Sequence, residues 1–382
     1  MVYIPSEDSE LLLSVLQKEI SSKNNSICEI GVGSGFILSQ LDGELFGTDI
    51  NPQAILDTKS KISKLNKKAE IIQGDLFSAL PNKKFDIIYF NTPYLPLEDG
   101  ECFEKLSVED LALYGGKRGN EVTLSFLTQV GNYLKKQGKG YLLYSSLSHP
   151  EEIEKMLRDY LFEYKIIAHQ SHFFEELFVV SFWKSQIRLE LEEIGVTKLE
   201  PFSKGKHSKV VKGEFKGNPC VVKYGDAQFI SKEHFFLQKL QHFSQVPKIY
   251  SYMRDFIILE YIDGVILEDA HNVLDKTQLI AFYNGILDFC HELDMLGINK
   301  FEMTNPYKHC FYVSENKIKM IDFERSIFSR NPKNTRQFIQ YLLSQKNNLK
   351  EKGIKISQKK VMLIGEKIKE ALIKIQLSDV CE

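Results

Sequence analysis

Glu29-Ile30-Gly31-Val32-Gly33-Ser34-Gly35 lies between a short apolar run, Ile27 to Ile30, and a stretch able to open a helix. Glycines at such a junction let the backbone approach a ligand, and they leave the first N–H groups of the next helix free to point at it. The spacing is G-x-G-x-G, not the G-x-G-x-x-G of dinucleotide binders. Outward from this turn the chain alternates between two periodicities. Leu11 to Ile20 has helical spacing, Glu44 to Asp49 reads as a strand, and Pro52 to Asn66 reads as a helix. Glu70 to Gly74 and Lys84 to Phe90 are strand-like, Leu124 to Lys136 is helical, and Gly140 to Ser145 is strand-like again. Strands alternating with helices indicate βαβ units and a mostly parallel sheet.

Acidic residues stand at successive strand ends. Asp49 closes Phe46-Gly47-Thr48-Asp49, where a carboxylate can accept both ribose hydroxyls. Asp75, in Gly74-Asp75, can read an adenine amine. Strand carboxyl ends are where doubly wound sheets bind ligands. Asn91-Thr92-Pro93-Tyr94 then ends the fourth strand. The Asn91 side-chain oxygen and the backbone carbonyl at Thr92 can accept the two N–H bonds of an amide or exocyclic amine. Tyr94 can stack on that plane, and Pro93 stiffens the turn. This suits methylation of a planar, weakly nucleophilic nitrogen, with alignment and desolvation supplying most of the rate.

The rest of the composition narrows the class. The chain has 382 residues, 43% hydrophobic and 26% charged, which fits two globular domains. Lys+Arg 49 against Asp+Glu 51 leaves a net charge of -2, so bulk charge does not recruit nucleic acid. Cys28, Cys102, Cys220, Cys290, Cys310 and Cys381 show no C-x-x-C spacing and are expected to be buried thiols in a reducing compartment. No run of about 18 apolar residues and no basic-then-apolar leader is present, so the expected location is cytoplasmic, with no membrane partner. The aromatic run His172-Phe173-Phe174 reads as packing, and His149, His169 and His242 as ordinary surface or core residues.

Near Trp183 the pattern changes. Residues 184–200 are charged, and the domain boundary is expected at 185–195, giving domains 1–186 and 195–382. Val210 to Phe215 and Pro219 to Tyr224 read as a strand pair joined at Gly217, preceded by Gly205-Lys206-His207-Ser208. A helix, Lys232 to His242, and two strands, Lys248 to Tyr252 and Phe256 to Tyr261, follow. Lys223 on the second strand and Glu233 on the helix together suit a lysine that holds α/β-phosphates and a glutamate that orients it. The lysine-rich segment 346–376 carries Val361, Ile364, Ile368, Leu372 and Ile375 on one helical face, which reads as a packed helix with a solvated basic side.

Residues 1–184 resemble the HemK-type S-adenosylmethionine-dependent methyltransferases, which carry an N-P-P-Y motif. The supporting pieces are Tyr3-Ile4-Pro5-Ser6-Glu7-Asp8-Ser9, Glu29 to Gly35, Gly47 to Pro52, Gly74 to Phe77, Asn91 to Tyr94, and Gly115-Gly116-Lys117-Arg118-Gly119. Their order is similar to the short archaeal and eukaryotic branch. The resemblance implies an α/β Rossmann-like methyltransferase domain and N5-methylation of a glutamine, in that branch the Gly-Gly-Gln loop of a class I release factor. It also implies a small zinc-binding activator subunit as partner. By the same resemblance Glu7, Asp8, Ser9, Glu29, Gly31, Gly33, Gly35, Asp49 and Asp75 would hold the cofactor, and Asn91, Thr92, Pro93 and Tyr94 the methyl acceptor. Thr92 replaces the first proline, so the turn is expected to be less rigid. Related N-P-P-Y enzymes methylate adenine or guanine amines in RNA or DNA, so RNA remains an alternative substrate.

The second half resembles the minimal RIO-type and related small archaeal kinases, implying an α+β protein-kinase-like domain with ATP and Mg²⁺. Ile258 to Gly264 looks like the hinge, and Met320-Ile321-Asp322-Phe323-Glu324-Arg325 looks like the metal-binding D-F-G segment, with Glu324 for glycine. In the catalytic loop Glu302 stands where the catalytic aspartate would be and Tyr307 where the metal-binding asparagine would be. Asp322 is then the expected metal ligand. The resemblance admits either an atypical phosphotransferase or a nucleotide-binding pseudokinase scaffold.

Overall fold

The computed structural model describes residues 5–351, apart from 21, 23, 99–101, 172, 173, 205–207 and 316. Tyr3, Ile4, Gly205 to His207, the helical pattern over 361–375 and Cys381 therefore lie outside the described residues. The chain forms two compact units, Met1–Glu200 and Pro201–Glu382.

In the first unit the elements run α1 (Glu7–Glu19), β1 (Ser26–Ile30), β2 (Glu44–Asp49), α2 (Pro52–Lys64), β3 (Ala69–Gln73), β4 (Phe85–Asn91), the short strands β5 (Leu95–Pro96) and β6 (Tyr114–Gly116), then α3 (Glu121–Tyr133), β7 (Leu134–Ser145), α4 (Pro150–Asp159), β8 (Phe162–Ser171), β9 (Glu176–Lys184) and α5 (Gln186–Glu193). Seven strands make one sheet in the order β3-β2-β1-β4-β7-β9-β8. Pairs from β3 through β7 are parallel, while β7–β9 and β8–β9 are antiparallel. This is a Rossmann-like sheet with an antiparallel edge. Its strand order reverses between β1 and β4, where such sheets hold ligands.

Local chemistry explains the element ends. All five residues of β1 are buried, as a strand covered on both faces requires. At the start of α2 the Asn51 side chain accepts from the Gln53 N–H, and Pro52 occupies the first turn. Two apolar clusters flank the sheet. One contains Leu12, Leu16, Leu38, Ile55 and Tyr89, the other Phe77, Phe126, Leu127, Ile153 and Phe182.

Three expectations are corrected here. The helix expected to run to Lys136 stops at Tyr133, because Leu134 already pairs with Phe85 in the sheet. Phe174 is 93% exposed, so this part of the aromatic run is not buried in the core; His172 and Phe173 lie outside the described residues. Cys102 is exposed, whereas Cys28, Cys220, Cys290 and Cys310 are buried.

The strand β10 (Val196–Lys204) spans the division between the units. It edges a five-stranded sheet whose other members are β11 (Ser208–Phe215), β12 (Asn218–Gly225), β13 (Ile249–Met253) and β14 (Phe256–Glu260), in the order β10-β11-β12-β14-β13. The helix α6 (Ala227–Leu240) follows β12 in the chain. After β15 (Val265–Ile266) the unit is mainly helical: α7 (Leu267–Val273), α8 (Lys276–Met295), α9 (Asn334–Ser344) and α10 (Lys346–Glu351). Short strands β16 (Ile298–Asn299), β17 (Cys310–Ser314), β18 (Lys317–Met320) and β19 (Ile327–Phe328) lie between α8 and α9. Asp275 and Gln278 form a reciprocal capping box at the start of α8. The buried network Asp294–Asn334 then ties α8 to α9, with Asn334 Nδ2 donating to Asp294 Oδ1 at 2.7 Å.

Candidate functional site

In the first unit a cleft of about 610 Å³ opens at the carboxyl ends of β1, β2 and β4. The glycine turn forms one wall. Gly31 and Gly33 line it, at φ 71 and 49. A Cβ on Gly33 would meet nothing within 4 Å, so the backbone faces open space. Gly35 is not on the cleft wall; it presses on Thr58, where a Cβ would lie 2.9 Å from the side chain.

Asp49 ties this turn to β2. Its Oδ2 accepts the Gly33 N–H and its Oδ1 accepts the Asn51 N–H, both at 2.8 Å. The carboxylate keeps acceptor capacity for a ligand hydroxyl beside these backbone donors. Burial pushes this carboxyl above the usual range, against the pull of those backbone donors. Asp75 is exposed and lines the cleft near the end of β3. An open cradle of glycine backbone and an acid at the β2 end fit a nucleoside-bearing cofactor such as S-adenosylmethionine.

Glu29 lies deeper than expected. It is 3% exposed, and burial raises its carboxyl well above the usual range, so it lines the cleft floor as an acid that resists ionising. Glu7 is on the exposed side of α1 and does not line the cleft. Asp8 is buried and turns inward. Its Oδ1 accepts from Ser6 Oγ at 2.8 Å and from the Ser9 N–H at 2.6 Å. Its Oδ2 accepts from Asn91 Nδ2 at 2.9 Å. Asp8 and Ser9, expected on the cofactor, thus reach the side chain at the end of β4. Sequence reading missed that link because the two segments are far apart in the chain.

Asn91, Thr92, Pro93 and Tyr94 all line the cleft. Asn91 Nδ2 is engaged by Asp8, while its Oδ1 is buried with no hydrogen-bond partner. A buried acceptor left unpaired costs about 1–3 kcal/mol, which a donor on a ligand would remove. Thr92 is 2% exposed, and its hydroxyl and N–H both donate to the Leu143 carbonyl, at 2.8 and 3.2 Å. A proline could make neither bond. The expected loss of rigidity at Thr92 is therefore offset by anchoring to β7.

The second unit gathers a separate charged cluster. Lys223 Nζ from β12 lies 2.7 Å from Glu233 Oε2 on α6, 2.9 Å from Asp322 Oδ1, and 2.9 Å from Glu324 Oε2. Burial alone would push the lysine down, but the three acids hold it above the usual range. Burial raises Glu233 against the pull of Lys223, whereas Lys223 and Lys300 hold Asp322 below the usual carboxylate range despite its burial. Glu302 sits beside the cluster, with Arg325 at 2.7 Å and His309 Nε2 at 3.6 Å. His309 Nδ1 lies 3.5 Å from Asp322 Oδ2.

Burial, with the charges of Lys300, Lys223 and Arg325, pushes the His309 imidazole down to about 4 against the pull of Asp322. The Tyr307 hydroxyl accepts from Gln345 Nε2 at 2.8 Å, so it is turned to the helix. His309 reaches the acids of the cluster, while Asn305 is exposed. Phe301, Glu302 and Asp322 hold left-handed backbone, at φ 63, 61 and 69, a strain that clusters at functional sites. Sequence alone gives no sign of the Lys223–Glu324 pairing, since Glu324 stands where the motif has a glycine.

Comparisons with known proteins divide along the same lines. A family model described as "Methyltransferase small domain" matches residues 6–102. One described as "Lipopolysaccharide core biosynthesis protein (WaaY)" matches residues 200–374. A chain of Methanocaldococcus jannaschii named for protein N5-glutamine methyltransferase activity is 37% identical over 187 residues, covering 48% of this chain and 92% of that one. The human methyltransferase HEMK2 is 32% identical, over 41% of this chain and 78% of its own. The eRF1 methyltransferase catalytic subunit mtq2 of Schizosaccharomyces pombe is 31% identical, over 37% of this chain and 71% of its own. Through its N-terminal half, the chain belongs to the HemK-type family of S-adenosylmethionine-dependent glutamine methyltransferases.

Proposed function

We propose that the first unit methylates the side-chain nitrogen of a protein glutamine, in the Gly-Gly-Gln loop of a class I release factor, with a small zinc-binding subunit as activating partner. The observation that carries this reading is the buried, unpartnered Oδ1 of Asn91, the cleft-lining residue that ends β4, an acceptor suited to an amide N–H. Bound S-adenosylmethionine supplies an electrophilic methyl group. Asn91 and the backbone carbonyl at position 92 hold the amide hydrogens, which fixes the nitrogen in line and strips it of water. Tyr94 stacks on the amide plane. One relative named for protein N5-glutamine methylation and another named for eRF1 methylation support the same substrate class. Transfer of labelled methyl to a release factor, with total RNA offered separately, tests this. Label on RNA alone would move the enzyme to exocyclic-amine methylation.

For the second unit we propose a kinase-like nucleotide site. The support is the convergence of Lys223, Glu233 and Asp322 from three separate segments. The residues suit ATP with one Mg²⁺: Asp322 would hold the metal, Lys223 the phosphates, and Glu302 would accept a hydroxyl proton. Binding of Mg-ATP that is lost in Lys223→Met supports the site. Turnover lost in Glu302→Ala makes it an enzyme, and binding without turnover makes it a pseudokinase scaffold. No binding at all removes the proposal.

A further inference from the structure

We propose that Asp8 is a positioning residue that sets which end of the Asn91 amide faces the methyl acceptor. This inference rests on the methyltransferase reading of the cleft and adds a determinant to it. The oxygen and nitrogen of an asparagine side chain are nearly equal in size, so shape alone does not choose between its two orientations. Only the oxygen can accept a substrate N–H. Something must therefore make the other orientation costly.

The surroundings of Asp8 supply that bias. Its Oδ1 faces Ser6 Oγ at 2.8 Å, the Ser9 N–H at 2.6 Å and Ser9 Oγ at 3.3 Å. The Ser9 N–H can only donate, so an oxygen must stand at that position. The opposite carboxylate oxygen, Oδ2, faces Asn91 and accepts from Nδ2 at 2.9 Å. Ser9 Oγ lies 3.4 Å from the same Nδ2, so the nitrogen end of the Asn91 amide faces two residues of the α1 N-terminus. Turning the Asn91 amide over would set its oxygen against the Asp8 carboxylate and leave a buried acceptor pair without a hydrogen between them. With Asp8 3% exposed, no solvent relieves that repulsion. The orientation with Oδ1 toward the acceptor is thus imposed by Asp8.

The isosteric variant Asp8→Asn reverses the bias. The Ser9 N–H still requires an oxygen, so the new Nδ2 must face Asn91. Donor then meets donor, Asn91 turns over, and it offers its NH₂ where the substrate needs an acceptor. The expected result is a fall in kcat of about 100-fold or more, the scale for losing one oriented group in a preorganised site. Asn91→Ala with Asp8→Asn should be no slower than Asn91→Ala alone, because Asp8 acts only through Asn91. Additive losses in that pair would overturn the proposal.

A second readout does not depend on the substrate. The Asn91 side-chain ¹⁵N–¹H₂ pair, assigned by its disappearance in Asn91→Ala, should shift and exchange faster in Asp8→Asn. An unchanged pair would overturn the positioning role whatever the substrate proves to be. Failure of the wild-type protein to label glutamine, with the amide signal changing as expected, would refute the substrate reading and leave the positioning role standing.

Discussion

Gly33 donates its backbone N–H to Asp49 Oδ2 at 2.8 Å, so the glycine turn after β1 and the acid ending β2 form one ligand-facing surface. Asp49→Ala removes a ribose acceptor and frees the turn together. Cofactor affinity should fall by about 10- to 150-fold, the equivalent of about 1.5–3 kcal/mol for a charge-assisted hydrogen bond. Calorimetric titration with S-adenosylhomocysteine measures it, and an unchanged dissociation constant would remove Asp49 from the site.

Two glycines of the turn, Gly33 and Gly35, should respond differently to alanine. At Gly35, φ is 67 and the new Cβ would sit 3.1 Å from the Thr58 Cα, so the fold itself is stressed. At Gly33 the left-handed backbone costs about 1–2 kcal/mol, but the methyl enters open cleft space. Gly35→Ala should therefore lower the unfolding temperature more than Gly33→Ala. Gly33→Ala should lose most of the stabilisation that S-adenosylhomocysteine gives the wild type. Thermal unfolding with and without that ligand separates the two, and the reverse pattern would contradict the geometry.

Thr92 is held at the Leu143 carbonyl by both its hydroxyl and its N–H. Thr92→Val keeps the shape and the N–H bond and removes the hydroxyl bond. The expected cost is about 1 kcal/mol in denaturant unfolding, with cofactor affinity unchanged. A variant as stable as wild type would show that the hydroxyl does not anchor the turn.

His309 makes the second unit sensitive to acid. Its imidazole is pushed down to about 4 in the fold, against an ordinary value of 6.5. Between these values the unfolded chain binds a proton that the folded chain does not, so unfolding gains as pH falls. The contribution is present in full above pH 6.5, is lost progressively down to about 4, and amounts to about 2–4 kcal/mol. His309→Gln should flatten that part of the stability–pH curve. An equally steep curve in the variant would assign the acid sensitivity elsewhere.

What could be read from the sequence follows from how local each signal is. The strands ending at Ile30, Asp49 and Asn91 were legible because each is a short, mostly apolar run closed by turn-forming residues, Gly31, Asn51-Pro52 and Pro93. Helix α3 was read three residues too far, because nothing within Leu134-Lys135-Lys136 reveals its pairing with Phe85. Asp8 was assigned to the cofactor by motif, and only the folded sheet shows its carboxylate meeting Asn91 from 83 residues away. The same limit hid Glu324. Its spacing marks it as a replaced glycine, while its contact with Lys223 depends on how β12 meets the turn after β18. Local pattern reports which face is buried, and it is silent on which distant polar groups meet there.

The central claim is that Asn91 presents an acceptor to a glutamine amide. The most direct measurement is mass-spectrometric mapping of labelled methyl on a release factor incubated with wild type, with Asn91→Ala and with its RNA-only counterpart reaction. The account predicts label on the glutamine of the Gly-Gly-Gln loop, reduced by at least about 100-fold in Asn91→Ala, with S-adenosylhomocysteine binding nearly unchanged. Label confined to RNA, or full activity in Asn91→Ala, would contradict it.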